Sequence, residues 1–408
     1  MIVTVICLSI AVLGLAFGQT PEQVQSLFRN LLSGYDRKVR PIADQSFPVV
    51  LDVSFNLRSI IRVDEVNEKL ETSGYLSVLW EDAMLTWDPE TNGGIERIFL
   101  PQSTIWIPDL VLGNGFKKFE EFGGSFYFVD ILSSGYVLWQ PFEVFESHCA
   151  IDTTYFPYDK EVCGIEFRIW SSTVHTVDIR ISSEGVDLYG YKESGVWKIT
   201  HTEAKVGEDT EGSKVTFYLH MERKPLYYVL NIIVPILFLG FLTILVFVLP
   251  VDSGEKMSYA MTVFLSFAVF LTIINTQLPV SSDSTSVLSF YILLQMSMGV
   301  LILVITALQI RLHHRDAAVP ISTAFVILVK FKKCMTCSKS FPLSKNAVGS
   351  LTTLDDQASN NLETSCKKWP EKKVEWKDVT AALDFFAFHF FLIVYVILTF
   401  ILFLLIAY

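Results

Sequence analysis

Cys149-Ala-Ile-Asp-Thr-Thr-Tyr-Phe-Pro-Tyr-Asp-Lys-Glu-Val-Cys163 is the stretch on which the fold turns. Thirteen residues separate its two cysteines. A disulfide closing such a loop stabilises a domain by roughly 3 kcal/mol in the chain-entropy model. A plain staple between strands explains the cysteines. It does not explain the tip, Phe156-Pro157-Tyr158-Asp159, whose aromatic-proline-aromatic-acid order reads as a docking element. Cys149 and Cys163 are the only cysteines between residues 19 and 223. Disulfides persist in oxidising compartments, so this half of the chain is expected outside the cell and Cys149–Cys163 paired.

Around the loop the pattern is that of strands. Val49, Leu51, Val53, Phe55 and Leu57 alternate as one apolar stripe, and Tyr75, Ser77, Leu79 and Val215, Phe217, Leu219 alternate similarly. Turn signals, Asn92-Gly93-Gly94 and Gly123-Gly124, separate the runs. An antiparallel β-sandwich follows. Ahead of it, Val24, Leu27, Phe28, Leu31 and Leu32 share one helical face, which predicts an N-terminal helix over 23–39 stopped by Pro41.

Further out lie the apolar blocks. The chain has 408 residues, 51% of them hydrophobic, and that content is concentrated. Residues 2–17 read as a secretory leader cut after Gly18; an uncleaved span is the alternative, because the basic start is missing. Four later blocks, 226–249, 257–278, 286–310 and 379–408, each exceed the roughly 20 residues that cross a bilayer. Residues 19–223 hold 32 acidic and 18 basic side chains, net −14, whereas 311–378 hold 7 and 12, net +5. The positive segment is expected on the cytoplasmic side. The expected division is a leader at 1–18, a β-sandwich ectodomain at 19–223, three helices at 224–311, a cytoplasmic insert at 312–378 and a fourth transmembrane helix at 379–408. No Asn-x-Ser/Thr sequon occurs.

The second block reads as a pore. Helical spacing places Ser258, Thr262, Leu265, Val269, Thr272 or Ile273, and Thr276 on one face, hydroxylic and small below, branched and apolar above. Several copies around an axis make polar rings and a hydrophobic constriction at Leu265 and Val269. The competing reading is a packed bundle helix whose hydroxyls bond back to its own carbonyls. Glu255 stands at the inner end, where a carboxylate ring favours cations. Pro235 falls inside the first block and weakens that helix locally.

Taken together and in order, these pieces resemble the Cys-loop receptors, most nearly their nicotinic acetylcholine receptor branch. The further residues that carry the resemblance are Leu31-Leu32, Tyr35-Asp36 and Arg40-Pro41; Trp80-Glu-Asp82-Ala-Met-Leu85-Thr-Trp87-Asp-Pro89; and Trp106-Ile-Pro108-Asp109. They continue with Trp170, Pro225-Leu226-Tyr227-Tyr228, Leu249-Pro250, Asp252-Ser-Gly-Glu-Lys256 and Trp376-Lys-Asp-Val-Thr-Ala-Ala-Leu-Asp384. The resemblance implies a plasma-membrane subunit of a homo- or hetero-pentamer with related subunits, gated by a small extracellular ligand and passing monovalent cations. It implies membrane lipid as surroundings, and neither an enzyme, a cofactor nor a nucleic-acid partner.

Residue by residue, it maps Trp170 to the central tryptophan of an aromatic ligand box, Tyr75 to an aromatic of the neighbouring subunit, and Leu138 and Gln140 to the complementary face. It maps Arg223 and Asp159 to a pair that couples the two layers, with Pro157 beside them. Departures are equally specific. Gly113 stands where relatives carry an aromatic, and the capping loop over 200–214 has acids, Glu203, Glu208, Asp209 and Glu211, in place of aromatics and an adjacent cysteine pair. The box is half built, Trp170 has a core tryptophan as its alternative reading, and acetylcholine is not expected as the agonist. Thr276 replaces an acidic outer ring, so divalent permeation does not follow. A partner subunit that conducts only in heteromers is the alternative function.

In the insert, 320–330 reads as a short amphipathic helix on the inner membrane surface, 340–361 as disordered and 362–378 as a helical lead into the last block. Cys334 and Cys337 fall short of a zinc site and read as an idle or acylated pair.

Overall fold

A computed structural model describes residues 19–209, 212–276, 285–316, 319–337 and 374–407. The leader at 1–18 and the expectations for 340–361 and most of 362–378 lie outside the described residues. By contacts the chain forms two units. One holds the residues up to Thr153 with Pro157–Pro225; the other holds Thr154–Phe156, Leu226–Thr276 and Thr285–Tyr408.

The first unit opens on α1 (Pro21–Leu32). Thr20 caps it, accepting from the Gln23 N–H while Gln23 answers to the Thr20 N–H, and Pro21 takes the first turn, where no N–H is needed. Its apolar stripe packs on the core through buried Leu27. The helix stops at Leu32 rather than at 39: Ser33 is extended and Gly34 takes φ +85°. Tyr35 is thereby turned inward, and its hydroxyl donates to Asp82 at 2.7 Å while accepting from the Trp106 N–H at 3.0 Å. Burial raises the pKa of both Tyr35 and Asp82. These motif residues are a packing node.

Two sheets follow. The strands are β1 (Val49–Asp64), β2 (Lys69–Glu81), β3 (Arg97–Pro101), β4 (Leu110–Leu112), β5 (Phe128–Leu132), β6 (Tyr136–Trp139), β7 (Phe142–His148), β8 (Lys160–Ile169), β9 (Val177–Ile181), β10 (Trp197–Asp209) and β11 (Gly212–Arg223). One sheet runs β3-β5-β6-β2-β1-β9 with β7 paired on β2, and the other runs β10-β11-β8-β4. Among the described strands the pairings are antiparallel except β1 with β9, which is parallel. Phe55 and Phe145 of the first sheet meet Phe167 and Phe217 of the second, with ring centroids 5.1–6.1 Å apart, and this aromatic cluster is the centre of the core.

The stripe from Val49 to Leu57 is buried as expected, and so are Val215, Phe217 and Leu219. On β2 the inward face is Leu70, Thr72, Leu76, Val78 and Trp80, so Tyr75, Ser77 and Leu79 form the outward stripe. Alternation alone does not say which of two faces turns in. The Cys149–Cys163 disulfide is formed, with Cα atoms 5.1 Å apart, and ties the start of the loop to β8.

Among the described residues, the second unit has four helices long and apolar enough to cross a membrane: α2 (Leu226–Val248), α3 (Lys256–Asn275), α4 (Val287–His313) and α6 (Trp376–Ala407). α2 widens into a π turn, Val229–Ile233, just before Pro235, which has no N–H to give the preceding turn. α3 begins one residue earlier than expected, and Leu278 lies outside the described residues. α6 begins at Trp376, so the last residues of the expected helical lead, 376–378, are helical and run unbroken into the fourth block, and Trp376, Val379 and Ala382 bury a face against Val329. Val329 lies on α5 (Thr323–Cys337), which starts three residues after Pro320 and runs past 330. Thr154–Phe156 belong to this unit: the Thr154 carbonyl accepts from the Val287 N–H at 3.0 Å, and the Phe156 ring meets Tyr228 edge-on at 5.0 Å.

Candidate functional site

Three groups of side chains answer to the sequence expectations, and each is built differently. The first surrounds Arg223, the last residue of β11. Strand pairing sets Glu222 against Lys160, which brings the end of β11 to Asp159 at the foot of β8. The Arg223 Nε donates to Asp159 Oδ1 at 2.8 Å and Nη2 donates to Oδ2 at 2.8 Å, a bidentate fork. Nη1 donates to Glu65 Oε1 at 2.8 Å, and the guanidinium lies 4.3 Å from the centre of the Trp197 ring. Both Arg223 and Asp159 side chains are fully buried, so Arg223 is not a residue reaching for the membrane surface. Burial works against the Arg223 charge, and the bond and charge of Asp159 outweigh it, raising its pKa. Pro157, two residues before Asp159, is also buried.

Glu161, two residues on, faces inward opposite Met221 and accepts from the Asp152 N–H at 3.2 Å. Burial pushes its pKa up to about 8, aided by the neighbouring Asp159 and Asp152 charges. Glu65, Trp197 and Glu161 carry no motif of their own. Glu65 and Trp197 are brought in by long-range pairing, and only the period-2 spacing of Glu161 from Cys163 hints that it faces inward.

The second group is the half-built box. Trp170 follows β8, and its backbone is held by Asp109 of the Trp106-Ile-Pro-Asp run: the Trp170 N–H donates to the Asp109 carbonyl at 3.2 Å. Trp170 is 54% exposed, which removes the core-tryptophan reading. Its ring lies 4.4 Å from Phe119, a partner the sequence reading missed, although the recurrence Phe116, Phe119, Phe122 marks that run as aromatic.

At Gly113 a Cβ would come within 2.5 Å of Glu166 Oε1, so a carboxylate occupies the space where relatives are expected to place a ring. The capping segment over 200–214 is for the most part not a loop: β10 and β11 pair from Trp197↔Arg223 to Asp209↔Gly212, with one register shift between Ile199 and His201. Glu203 turns along its own strand to Lys205 at 2.8 Å, whose hydrogen bond lowers its pKa. Glu211 and the side chains of Glu208 and Asp209 lie outside the described residues. Tyr75, Leu138 and Gln140 are brought together on the outward face of the other sheet. Leu138 pairs with Leu79, Gln140 Nε2 donates to Ser77 Oγ at 2.9 Å, and Arg58 lies over the Tyr75 ring at 5.2 Å.

The third group is the stripe on α3. Glu255, Ser258, Thr262, Leu265, Val269, Thr272, Ile273 and Thr276 are all exposed, while Lys256, Ala260, Val263, Phe267 and Ile274 are buried against the other helices. Leu265 and Val269 are 64% and 51% exposed. Thr262, Thr272 and Thr276 do donate back to carbonyls three or four residues earlier, at 2.7–2.9 Å. Back-bonding and an open face therefore coexist. Each hydroxyl oxygen keeps its acceptor lone pairs free for whatever fills that face. No group of three or more His, Cys, Asp or Glu among the described residues is arranged to hold a metal ion.

Comparison with known proteins places these features. The description "Neurotransmitter-gated ion-channel ligand binding domain" matches residues 24–225, and "Neurotransmitter-gated ion-channel transmembrane region" matches 232–344. The chain is 35% identical over 302 residues to the neuronal acetylcholine receptor subunit beta-3 of Rattus norvegicus, covering 73% of this chain and 65% of that one. It is 33% identical over 307 residues to beta-3 of Homo sapiens, with 74% and 67% covered. It is 34% identical over 305 residues to alpha-3 of Rattus norvegicus, with 72% and 60% covered. The matches thus span about two thirds of the length of these relatives.

Proposed function

Because the chain belongs to the neurotransmitter-gated ion-channel family, we propose that it is a plasma-membrane subunit of a pentameric, cation-selective channel opened by a small extracellular ligand. It is not an enzyme. The observation that carries the reading is the continuous exposed stripe on α3, from Glu255 through Leu265 and Val269 to Thr276. Five such helices around an axis give hydroxyl rings, an apolar constriction that closes by dewetting, and a carboxylate ring at the inner mouth. The division into leader at 1–18, ectodomain at 19–223, helices at 224–311, insert at 312–378 and fourth transmembrane helix at 379–408 goes with it.

The ligand sits between copies in this reading. Trp170 with Phe119 offers one face, and Tyr75, Leu138 and Gln140, on the other sheet, offer the opposite one. Such a heterologous contact closes into a ring by rotation. Arg223, Asp159 and Pro157 transmit ligand binding toward the helices. Membrane lipid surrounds the outer helices, and monovalent cations are the permeant ions.

The test is expression of the full chain in oocytes with a screen of small amines and other polar ligands, read as ligand-evoked current. Reversal potentials should follow sodium, and Glu255→Ala should weaken that preference. Potentials that follow chloride would overturn cation selectivity. A second reading, a partner subunit silent by itself, is favoured by Gly113 and by the carboxylate of Glu166 in the aromatic position. It predicts current only when related subunits are co-expressed.

A further inference from the structure

Lys256 is a cation in an unfavourable place. It is the first residue of α3, where the helix dipole presents its positive end and disfavours another positive charge. Its side chain is 1% exposed, and a buried ammonium needs a counter-charge. Asp384 of α6 supplies it: Lys256 Nζ donates to Asp384 Oδ1, and the Phe247 ring lies 5.7 Å from the ammonium. Asp384 is itself largely buried, with Gln309 of α4 beside it and Lys332 of α5 bonded to the Ala381 carbonyl at 2.9 Å. The neighbouring Glu255 points the other way and is exposed. Two charges of opposite sign are thus adjacent in sequence and on different faces of the helix start.

We propose that Asp384 is a positioning residue for ion selection: it holds the Lys256 ammonium behind the pore helix, so that ions at the inner mouth meet Glu255 alone. This rests on the channel reading above. Lysine has a flexible four-carbon stem and a strongly hydrated head, so an ammonium released from Asp384 moves toward water. The water nearest Glu255 is the pore mouth. There, one positive charge per subunit offsets the carboxylate ring and lowers its attraction for cations.

The experiment compares wild type, Asp384→Asn and the double variant Asp384→Asn/Lys256→Gln in the full chain. Reversal potentials under sodium chloride dilution report the sodium-to-chloride permeability ratio. Asp384→Asn is expected to lower the ratio about tenfold, and the double variant to return it to within about twofold of wild type. An unchanged ratio in Asp384→Asn overturns the proposal. So does a double variant more cation-selective than wild type, because Lys256 would then already face the ions; this arm decides even if Asp384→Asn fails to reach the surface.

A second readout needs no current. Amine-reactive N-hydroxysuccinimide acetate on detergent-purified protein, read by mass spectrometry, should leave Lys256 unlabelled in wild type and label it in Asp384→Asn. Equal labelling refutes the sequestration. Wild-type current that follows chloride, or no current in any subunit mixture, would instead sink the channel reading while the labelling result still stands on its own.

Discussion

Asp159→Asn is the most informative single change in the ectodomain. It keeps the size of the side chain and removes the charge. In the native protein the buried Arg223 guanidinium has three close bonds to the Asp159 carboxylate, one to Glu65 and the Trp197 ring beside it. After the change, Arg223 keeps Glu65 and Trp197 but loses the fully buried counter-charge of Asp159. Breaking one side of a buried pair costs about 3–5 kcal/mol, a large share of the 5–15 kcal/mol by which domains are stable. For a domain of this size, roughly 2–4 °C of melting temperature corresponds to each kcal/mol, so a fall of about 6–20 °C follows.

The assay is thermal unfolding of the detergent-solubilised full chain, alongside Arg223→Gln and the double variant. The double should lose less than the sum of the singles, because neither member of the fully buried pair is then left facing an absent partner. A single variant that melts within about 2 °C of wild type, or a double that loses the full sum, would refute the reasoning.

Other outcomes follow from the same geometry. Replacing Cys149 and Cys163 together by Ser should cost roughly 3 kcal/mol, seen as a lower melting temperature; non-reducing peptide mapping of the native protein should find the two joined. Glu161, with its pKa near 8 in the fold, contributes stability present below its ordinary value and lost as pH rises through about 8. Glu161→Gln should therefore melt higher than wild type at pH 9 and differ less at pH 6; a gap that widens on acidification would contradict this. Acetylcholine should activate poorly. Each missing aromatic face removes about 0.5–2 kcal/mol, and a total near 3 kcal/mol weakens binding more than a hundredfold, so robust micromolar currents would refute the half-built box.

Much of the architecture is local in origin and so was legible in the chain. A strand turns alternate residues to opposite faces and a helix repeats every 3.6, so Val49 to Leu57 and the Ser258 to Thr276 stripe follow from spacing alone. The cysteine pair and the apolar blocks follow from composition and length. What spacing does not carry is which face turns inward and which distant residue arrives opposite. Tyr75 and Leu76 alternate equally well, and only the second sheet, packing Phe167 and Phe217 on Phe55, decides that Leu76 is core.

Glu65 and Arg223 are 158 positions apart, and Lys256 and Asp384 are 128 apart. No local pattern links them, because strand register and helix packing set their meeting. The space at Gly113 shows the same limit: the sequence records a missing ring, and only the fold places the Glu166 carboxylate there. Periodicity is a property of the backbone and is written along the chain, whereas the partner of a buried charge is a property of the packed whole.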